Sequence, residues 1–193
     1  MKANKPKDKL HGQPELNGRI SVGKYVMNLL TDQRNTAPFH PLADWAWGFI
    51  GCFVGIGIVI SIGQFAFHEY NFTFIASLSI SACYIFCDSS SAFAQPRNLF
   101  VGHIISAIVG ITVFQFMGNA WYAAALGFTL AFLVMQLTET VHPPAGATVL
   151  IPFVSEQGWL FPVFMGVGVI VLILLGILIN RFVLHRSYPN DVA

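Results

Sequence analysis

The sequence predicts an all-α protein, a polytopic transmembrane helical bundle of four to five spans, and two observations predict it. Hydrophobic residues make up 55% of the 193 residues and charged residues only 10%, with a mean hydropathy of +0.65. Soluble domains carry about 25% charged residues, so this chain cannot cover a water-facing surface. Several apolar runs also approach the roughly 20 residues that a membrane-spanning helix needs. The lipid bilayer is therefore the first partner we expect.

Five apolar runs are candidate spans, namely residues 43–67, 72–87, 99–117, 121–137 and 161–183. A further apolar piece, residues 145–154, is too short to cross. The third and fourth runs are joined by only Gly118 to Ala120, so they must be antiparallel neighbours. The loops before and after this pair, 88–96 and 138–144, therefore open on the same side.

The number of crossings stays open, and with it the side of the carboxyl terminus. Five full crossings place it outside, whereas four crossings, with residues 72–87 entering and returning, place both termini inside. Seven of the ten Lys and Arg residues lie in the first 43 residues, which predicts a cytoplasmic amino terminus. We expect a multi-pass protein of a cell membrane, and a bacterial inner membrane in particular.

Three regions follow from the composition: a basic cytoplasmic segment (1–42), a membrane domain (43–184) and a short tail (185–193). Apolar residues recur at helical spacing from Leu16 to Leu30, which predicts a helix on the inner membrane surface. A disordered tail is the alternative for that segment.

The first polar loop, residues 88–98, has the features of an anion site. Pro96 is suited to a first helical turn, so we expect a helix that starts there with Gln95 as its cap. The backbone N–H groups of Arg97, Asn98 and Leu99 are then expected to be unpaired, and Arg97 adds a full positive charge. The hydroxyls of residues 89–91, all serines, can complete the shell. Alternatively, Arg97 only marks a cytoplasmic loop.

The second polar loop, residues 138–148, repeats this design. Two prolines, Pro143 and Pro144, are expected to open a short helix from Ala145 to about Val154, with its first three N–H groups free. His142 precedes this helix, and Gly146 allows close approach of the backbone. Two broken half-helices would then face one solute from the same side, as in many transporter sites.

Two further ionisable residues each allow two interpretations. Glu139 is either a gating or proton-coupling group or a loop charge that faces water. His103 shares a helix face with Ser106 and Gly110 by spacing, so it is either a pathway residue or a packing histidine with one hydrogen bond. A stripe of small residues, 123, 127 and 131, is expected to pack against this face.

Other features are less specific. Gly51 and Gly55 allow close packing, either with a second copy of the chain in a homo-oligomer or inside the bundle. Cys83 and Cys87 are interpreted as small buried residues. The basic residues are too few and too scattered for a nucleic-acid partner. The histidines and acids lack metal-ligand spacing, so we expect neither a metal nor a cofactor.

Three ordered blocks resemble the HPP family of small integral membrane proteins. They are AQPRN at 94–98, GHIISAIVG at 102–110 and TVHPPAGAT at 140–148, within a likeness that covers about 43–184. The resemblance implies a fold of four transmembrane helices and a transport role, with members from cyanobacteria and chloroplasts associated with nitrite. The chain departs from the family pattern at Ser89, Ala92 and Glu139, which leaves the substrate open.

We therefore expect a transporter or channel for a small monovalent anion, with nitrite as the leading candidate by resemblance, and no enzymatic activity. The alternatives are an intramembrane enzyme and a non-transporting sensor or assembly protein. Candidate coupling or gating residues are Glu139 and His103. The candidate substrate-binding residues are Arg97, Asn98, Gln95, Ser89, Ser90, Ser91, His142, Thr140, Ala145, Gly146 and Thr148.

Overall fold

A computed structural model describes residues 42–66 and 72–190 of the chain. Within these residues the secondary structure is helical, with a 3₁₀ turn at Ala92–Ala94 and a π-helical segment at Leu178–Val183. The predicted surface helix between Leu16 and Leu30 lies outside the described residues. The described α-helices are α1 (Leu42–Ala66), α2 (Phe72–Cys87), α3 (Pro96–Met117), α4 (Trp121–Leu137), α5 (Ala145–Ser155) and α6 (Phe161–Ile177).

Three helical segments are long and apolar enough to cross a membrane, which confirms the predicted helical membrane bundle. They cover residues 44–65, 96–117 and 161–183, with 22, 22 and 23 residues. At about 1.5 Å per residue, each matches the roughly 30 Å of a hydrocarbon core. The helices α2, α4 and α5 are shorter. The predicted start of α3 at Pro96, with Gln95 as its cap, is confirmed.

The described helices alternate in direction. The start of α1 meets the end of the chain, because the Asp44 carboxylate lies 2.7 Å from the Arg186 guanidinium. The far end of α3 meets the turn before α6, where Trp159 donates to the side chain of Gln115 at 2.9 Å. We call the end that contains 88–95, 138–144 and 184–190 the loop end, and the end that contains 118–120 and 156–160 the turn end.

This arrangement shows how residues 72–87 run through the bundle. The helix α2 is uninterrupted and antiparallel to α1, since Gly48 lies near the Phe86 carbonyl while Val59 lies near Leu78. Segment 72–87 therefore does not enter and return. Both described ends lie at the loop end, so the chain between them runs an even number of times from one end of the bundle to the other. Between the end of α4 at the loop end and the start of α6 at the turn end, the chain returns through α5 and the extended residues before it.

Glycines let α5 sit close to its neighbours. A Cβ atom on Gly110 of α3 would lie 2.5 Å from the backbone oxygen of Val149, and one on Gly127 of α4 would lie 3.3 Å from the side chain of Val149. Both glycines therefore face α5, while Gly127 also lies near Val113 of α3, at 3.7 Å from its Cβ atom. The predicted packing of the small-residue stripe of α4 on α3 is in line with this contact and with Ala123, which packs against Val113. Gly51 and Gly55 pack against the Phe86 ring inside the bundle, in line with the internal-packing alternative.

The carboxyl-terminal tail fastens the loop end. The buried hydroxyl of Tyr188 donates to the Ala94 carbonyl at 2.9 Å, and the backbone N–H of Asn190 donates to the side chain of Gln95 at 2.8 Å. Burial raises the pKa of Tyr188, so its phenol stays a neutral donor. Asn180, also buried, donates to the Ile85 carbonyl at 2.9 Å. The π-helical segment is therefore tied to α2, and the tail after it is tied to the first polar loop.

Replacing Gly110 with Ala should destabilise the protein by about 1–3 kcal/mol, because the new methyl group meets backbone that cannot yield without moving α5. Gly57→Ala is the matched control, since nothing lies within 4 Å of the equivalent position there. Thermal unfolding of the two purified variants in detergent checks this. Equal melting temperatures for both variants and the parent would contradict the close approach of α5 to α3 at Gly110.

Single cysteines at Ser90 and Thr138, introduced after removal of Cys52, Cys83 and Cys87, should react with a membrane-impermeant thiol reagent from the same side. Both positions are exposed at the loop end. A cysteine at Asn119, exposed at the turn end, should react only from the opposite side. Labelling of Ser90→Cys and Thr138→Cys from different sides would refute the alternation of helices.

Candidate functional site

A group of polar side chains is completely buried inside the apolar bundle. On α3 this group lies about 10 Å along the helix from Pro96. Polar groups at such positions in a membrane protein are costly unless they are paired, and they often mark a pathway or a binding site. We call this group the polar cluster; its members are Ser77, Ser81, His103, Ser106, His142 and Thr148, each with no exposed surface.

The two histidines meet at one hydroxyl group. The Ser81 Oγ atom lies 2.8 Å from Nε2 of His103 and 2.8 Å from Nε2 of His142. The ring centroids are 5.0 Å apart. The Nδ1 atom of His142 lies 2.7 Å from the Phe93 carbonyl oxygen. Because a carbonyl only accepts hydrogen bonds, this Nδ1 atom carries a hydrogen.

The other side of the cluster is a pair of hydroxyl groups. Nδ1 of His103 lies 2.7 Å from the hydroxyl oxygen of Thr148, which lies 2.7 Å from the hydroxyl oxygen of Ser77. The Ser77 hydroxyl is also 3.1 Å from the Pro144 carbonyl oxygen. The cluster therefore joins α2, α3, α5 and the peptide that precedes α5.

One member of the cluster lacks a partner. The Ser106 hydroxyl oxygen is buried and makes no hydrogen bond to any described residue. It lies three residues after His103, on the same face of α3 and one turn nearer the turn end. An unpaired hydroxyl in this setting is a free donor and acceptor for a polar solute.

Local sequence explains how the cluster forms. Ser77 and Ser81 are four residues apart and share a face of α2. His142 reaches the cluster because α3 has no side chain at Gly102, where a Cβ atom would lie 3.0 Å from that of His142. The Thr140 carbonyl oxygen would lie 3.2 Å from a Cβ atom on Gly102. A glycine therefore allows the peptide before α5 to enter the bundle.

Arg97, the positively charged residue of the predicted site, lies at the edge of the bundle, outside the polar cluster. The exposed Arg97 guanidinium donates to the backbone carbonyls of Thr138 at 2.9 Å and Glu139 at 3.5 Å, and Asn98 donates to the Val141 carbonyl at 3.2 Å. These bonds satisfy carbonyls that follow the end of α4, where positive charge is favourable. Arg97 and Asn98 thus hold the second polar loop onto the start of α3.

The remaining residues of the first loop bond mainly within the loop and to the tail. Gln95 donates to the carbonyls of Ser89 and Ser91, while the Ser91 hydroxyl accepts from the Phe93 N–H. Ser90 donates to the Asp88 carboxylate at 3.1 Å. These side chains hold the shape of the loop.

The prediction of unpaired backbone N–H groups at the starts of α3 and α5 is wrong in part. The N–H groups of Ala145, Gly146 and Ala147 donate to the carbonyls of residues 142, 143 and 144 at 2.9 to 3.1 Å. The N–H of Leu99 donates to the Gln95 carbonyl at 3.0 Å. The turn that begins at His142 uses the N–H groups of residues 145–147, so the polar groups available to a solute in the cluster are side chains and not backbone N–H groups.

The structure thus divides the predicted site into two. It brings His103, His142 and Thr148 together in the cluster and leaves the other side chains nearer the loop end. Thr140 is buried there and bonds to the Thr138 hydroxyl at 2.7 Å, whereas Glu139 is exposed with a positive φ of 54°. Sequence reasoning missed Ser77 and Ser81; their signal was the spacing of four in a short apolar run.

These features define a helical membrane protein with a polar centre. The chain belongs to the HPP transmembrane family, because the family model described as "HPP, transmembrane region" matches residues 37–189. Two relatives from Dictyostelium discoideum are each named as a transmembrane protein. One is 33% identical over 170 residues, which cover 82% of this chain and 59% of the relative; the other is 37% identical over 158 residues, which cover 77% and 51%.

The chain therefore spans between half and three fifths of the length of these curated relatives. No solved structure matches it.

Replacing Thr148 with Val should destabilise the protein by about 1–3 kcal/mol, because the change keeps the shape but leaves Nδ1 of His103 without a partner and removes one of the two hydrogen bonds of Ser77. Thr112→Val is the control, since Thr112 bonds only to the Ile108 carbonyl of its own helix at 2.7 Å. Thermal unfolding in detergent compares the two. A melting temperature for Thr148→Val equal to that of Thr112→Val would contradict the described network.

Proposed function

We propose that the protein moves a small monovalent anion across the membrane and that the anion passes the polar cluster. One observation carries this proposal: two histidines and four hydroxyl side chains are completely buried together inside the bundle. Polar and ionisable residues at such depth are typical of solute and proton pathways. Hydroxyl and imidazole N–H groups are neutral donors that can replace part of the hydration shell of an anion.

The end of α5 nearest the cluster supports the same proposal. The helix begins inside the bundle, and broken helices of this kind line solute sites in many transporters. Its first N–H groups are used by the turn before it, so in this proposal the anion binds to side chains. Ser106, with its unpaired hydroxyl, is the proposed first contact beyond the histidines.

We propose that Arg97 attracts the anion at the entrance. Its guanidinium is exposed and held by the two carbonyls after α4, so the charge stays in place beside the second polar loop. The three arginines among the described residues, 97, 181 and 186, all lie at the loop end. This distribution supports a loop end that faces the cytoplasm, as the basic amino-terminal segment also suggests.

Nitrite remains the leading candidate for the anion. The support is the family resemblance, together with the unpaired Ser106 hydroxyl, which can donate to an acceptor oxygen of a small anion. We also propose that the protein is not an enzyme and needs no cofactor. Its environment, a cell membrane of bacterial type, is part of the same proposal.

An intramembrane hydrolase is the second candidate, because a serine hydroxyl 2.8 Å from an imidazole nitrogen is the geometry of a nucleophile with its base. Two observations weigh against it. Ser81 has no exposed surface, and the outer nitrogens of the two histidines face a threonine hydroxyl and a backbone carbonyl. A fluorophosphonate probe distinguishes the candidates, because covalent labelling of Ser81 would favour the hydrolase.

Replacing Arg97 with Gln should lower nitrite uptake into proteoliposomes about tenfold, because the change removes a fixed charge near the entrance but keeps donors for the carbonyls after α4. Arg181→Gln, an exposed arginine at the same end, should leave uptake within about twofold of the parent. Nitrous acid leaks through lipid, so empty liposomes are subtracted and nitrate uptake is measured in parallel. Equal uptake by the two variants would refute the role of Arg97.

A further inference from the structure

We propose that the polar cluster can take up one excess proton and that the Ser81 hydroxyl passes it between His103 and His142. This inference concerns proton binding and stands on the geometry of the cluster alone. Its link to anion movement, as a coupled proton, rests on the function proposed above.

In the neutral cluster the donor and the acceptor of every hydrogen bond at the two rings are determined. The Nδ1–H group of His142 donates to the Phe93 carbonyl, so its Nε2 atom accepts from the Ser81 hydroxyl. The Ser81 oxygen then accepts from Nε2–H of His103, and Nδ1 of His103 accepts from the Thr148 hydroxyl. No ring nitrogen is left unpaired.

A single added proton also leaves every ring nitrogen paired. With a hydrogen on both nitrogens of His103, its Nδ1–H group donates to Thr148, whose hydroxyl turns to the Ser77 oxygen. The Ser77 hydroxyl then donates to the Pro144 carbonyl, 3.1 Å away. Only two hydroxyl groups rotate, so the cluster accepts the proton without losing a hydrogen bond at either ring.

The proton can then cross Ser81 without further rearrangement. The Nε2–H bond of His103 breaks as an O–H bond forms at Ser81, while the original O–H bond of Ser81 breaks and an N–H bond forms at Nε2 of His142. The outer bonds, from Nδ1 of each ring to Thr148 and to the Phe93 carbonyl, are the same before and after. One proton has moved, and no electron has been gained or lost by either ring.

A second proton is opposed by repulsion between the rings. Ser81 could accept from both rings and donate to the Ser77 carbonyl at 3.3 Å, but two positive rings would then lie 5.0 Å apart. Like charges at this separation inside a bundle repel strongly. The two histidines should therefore titrate as a pair that takes one proton first.

The two histidine rings lie at different depths in the bundle. His142 lies nearer the loop end, where the centroid of the Tyr84 ring is 6.1 Å from that of its own ring and the Phe93 carbonyl accepts from Nδ1. Tyr84 is the titratable group from α2 that packs against this ring; α5 contributes the neutral Thr148 to the other ring. His103 faces the middle of the bundle, one turn from Ser106. The proton would thus move between the loop end and the deeper part of the cluster.

The test is a pH titration of the full chain in lipid bilayers with ¹⁵N-labelled histidine, followed by solid-state NMR of the imidazole nitrogens. His103→Gln and His142→Gln assign the signals. We expect both rings to gain partial positive charge at a common midpoint, with a sum of one proton, and to exchange it rapidly. In Ser81→Ala the exchange should slow at least tenfold. Ser79→Ala is the control, because Ser79 bonds to the Ile75 carbonyl of its own helix.

Three results would overturn the proposal: separate and independent midpoints, two rings that stay neutral from pH 4 to 9, or unchanged exchange in Ser81→Ala. The titration of the parent protein alone tests the shared proton, so failure of Ser81→Ala to fold does not remove the test. Nitrite-driven proton uptake into proteoliposomes is measured separately. A shared proton without such uptake would support the relay and count against its coupling to anion movement, whereas failure of nitrite uptake itself would count against the proposed transport.

Discussion

The structure depends on one constraint: polar side chains buried in an apolar bundle are costly unless other groups of the protein pair with them. Ser81 meets this constraint for both histidines, with bonds of 2.8 Å to each ring. Thr148 meets it for the remaining nitrogen of His103. These few bonds hold α2, α3 and α5 in one arrangement, so the position of the short helix follows from the need to pair buried groups.

The same constraint explains the irregular backbone at the loop end. A chain that leaves α4 and enters the bundle at His142 exposes carbonyl groups, and Arg97 and Asn98 satisfy those of residues 138, 139 and 141. Gly102 then leaves room for the entering peptide. Arg97 therefore has a structural partner as well as a charge. A single residue can both fasten the loop and attract a solute, since an arginine that donates to neutral carbonyls keeps its full charge.

Much of the fold could be predicted from sequence because lipid imposes a simple rule on composition and length. The bounds of α2 and α4 and the start of α3 at Pro96 followed from apolar runs and from proline chemistry. The polar cluster could be predicted only in part. His142 and His103 are conspicuous in an apolar chain, but serines such as Ser81 occur in membrane helices without any such role. Which hydroxyl meets which ring depends on the crossing of helices far apart in sequence, and the bond from Tyr188 to Ala94 has no local signal at all.

The central claim is that a small anion reaches the buried cluster, and the most direct test is to locate one there. Crystals of the full chain grown with bromide, a monovalent anion with a measurable anomalous signal, would show its position. An anomalous peak is expected within hydrogen-bond distance of the Ser106 hydroxyl or of the His103 ring. Peaks confined to exposed arginines such as Arg97 and Arg181, with none at the cluster, would contradict it.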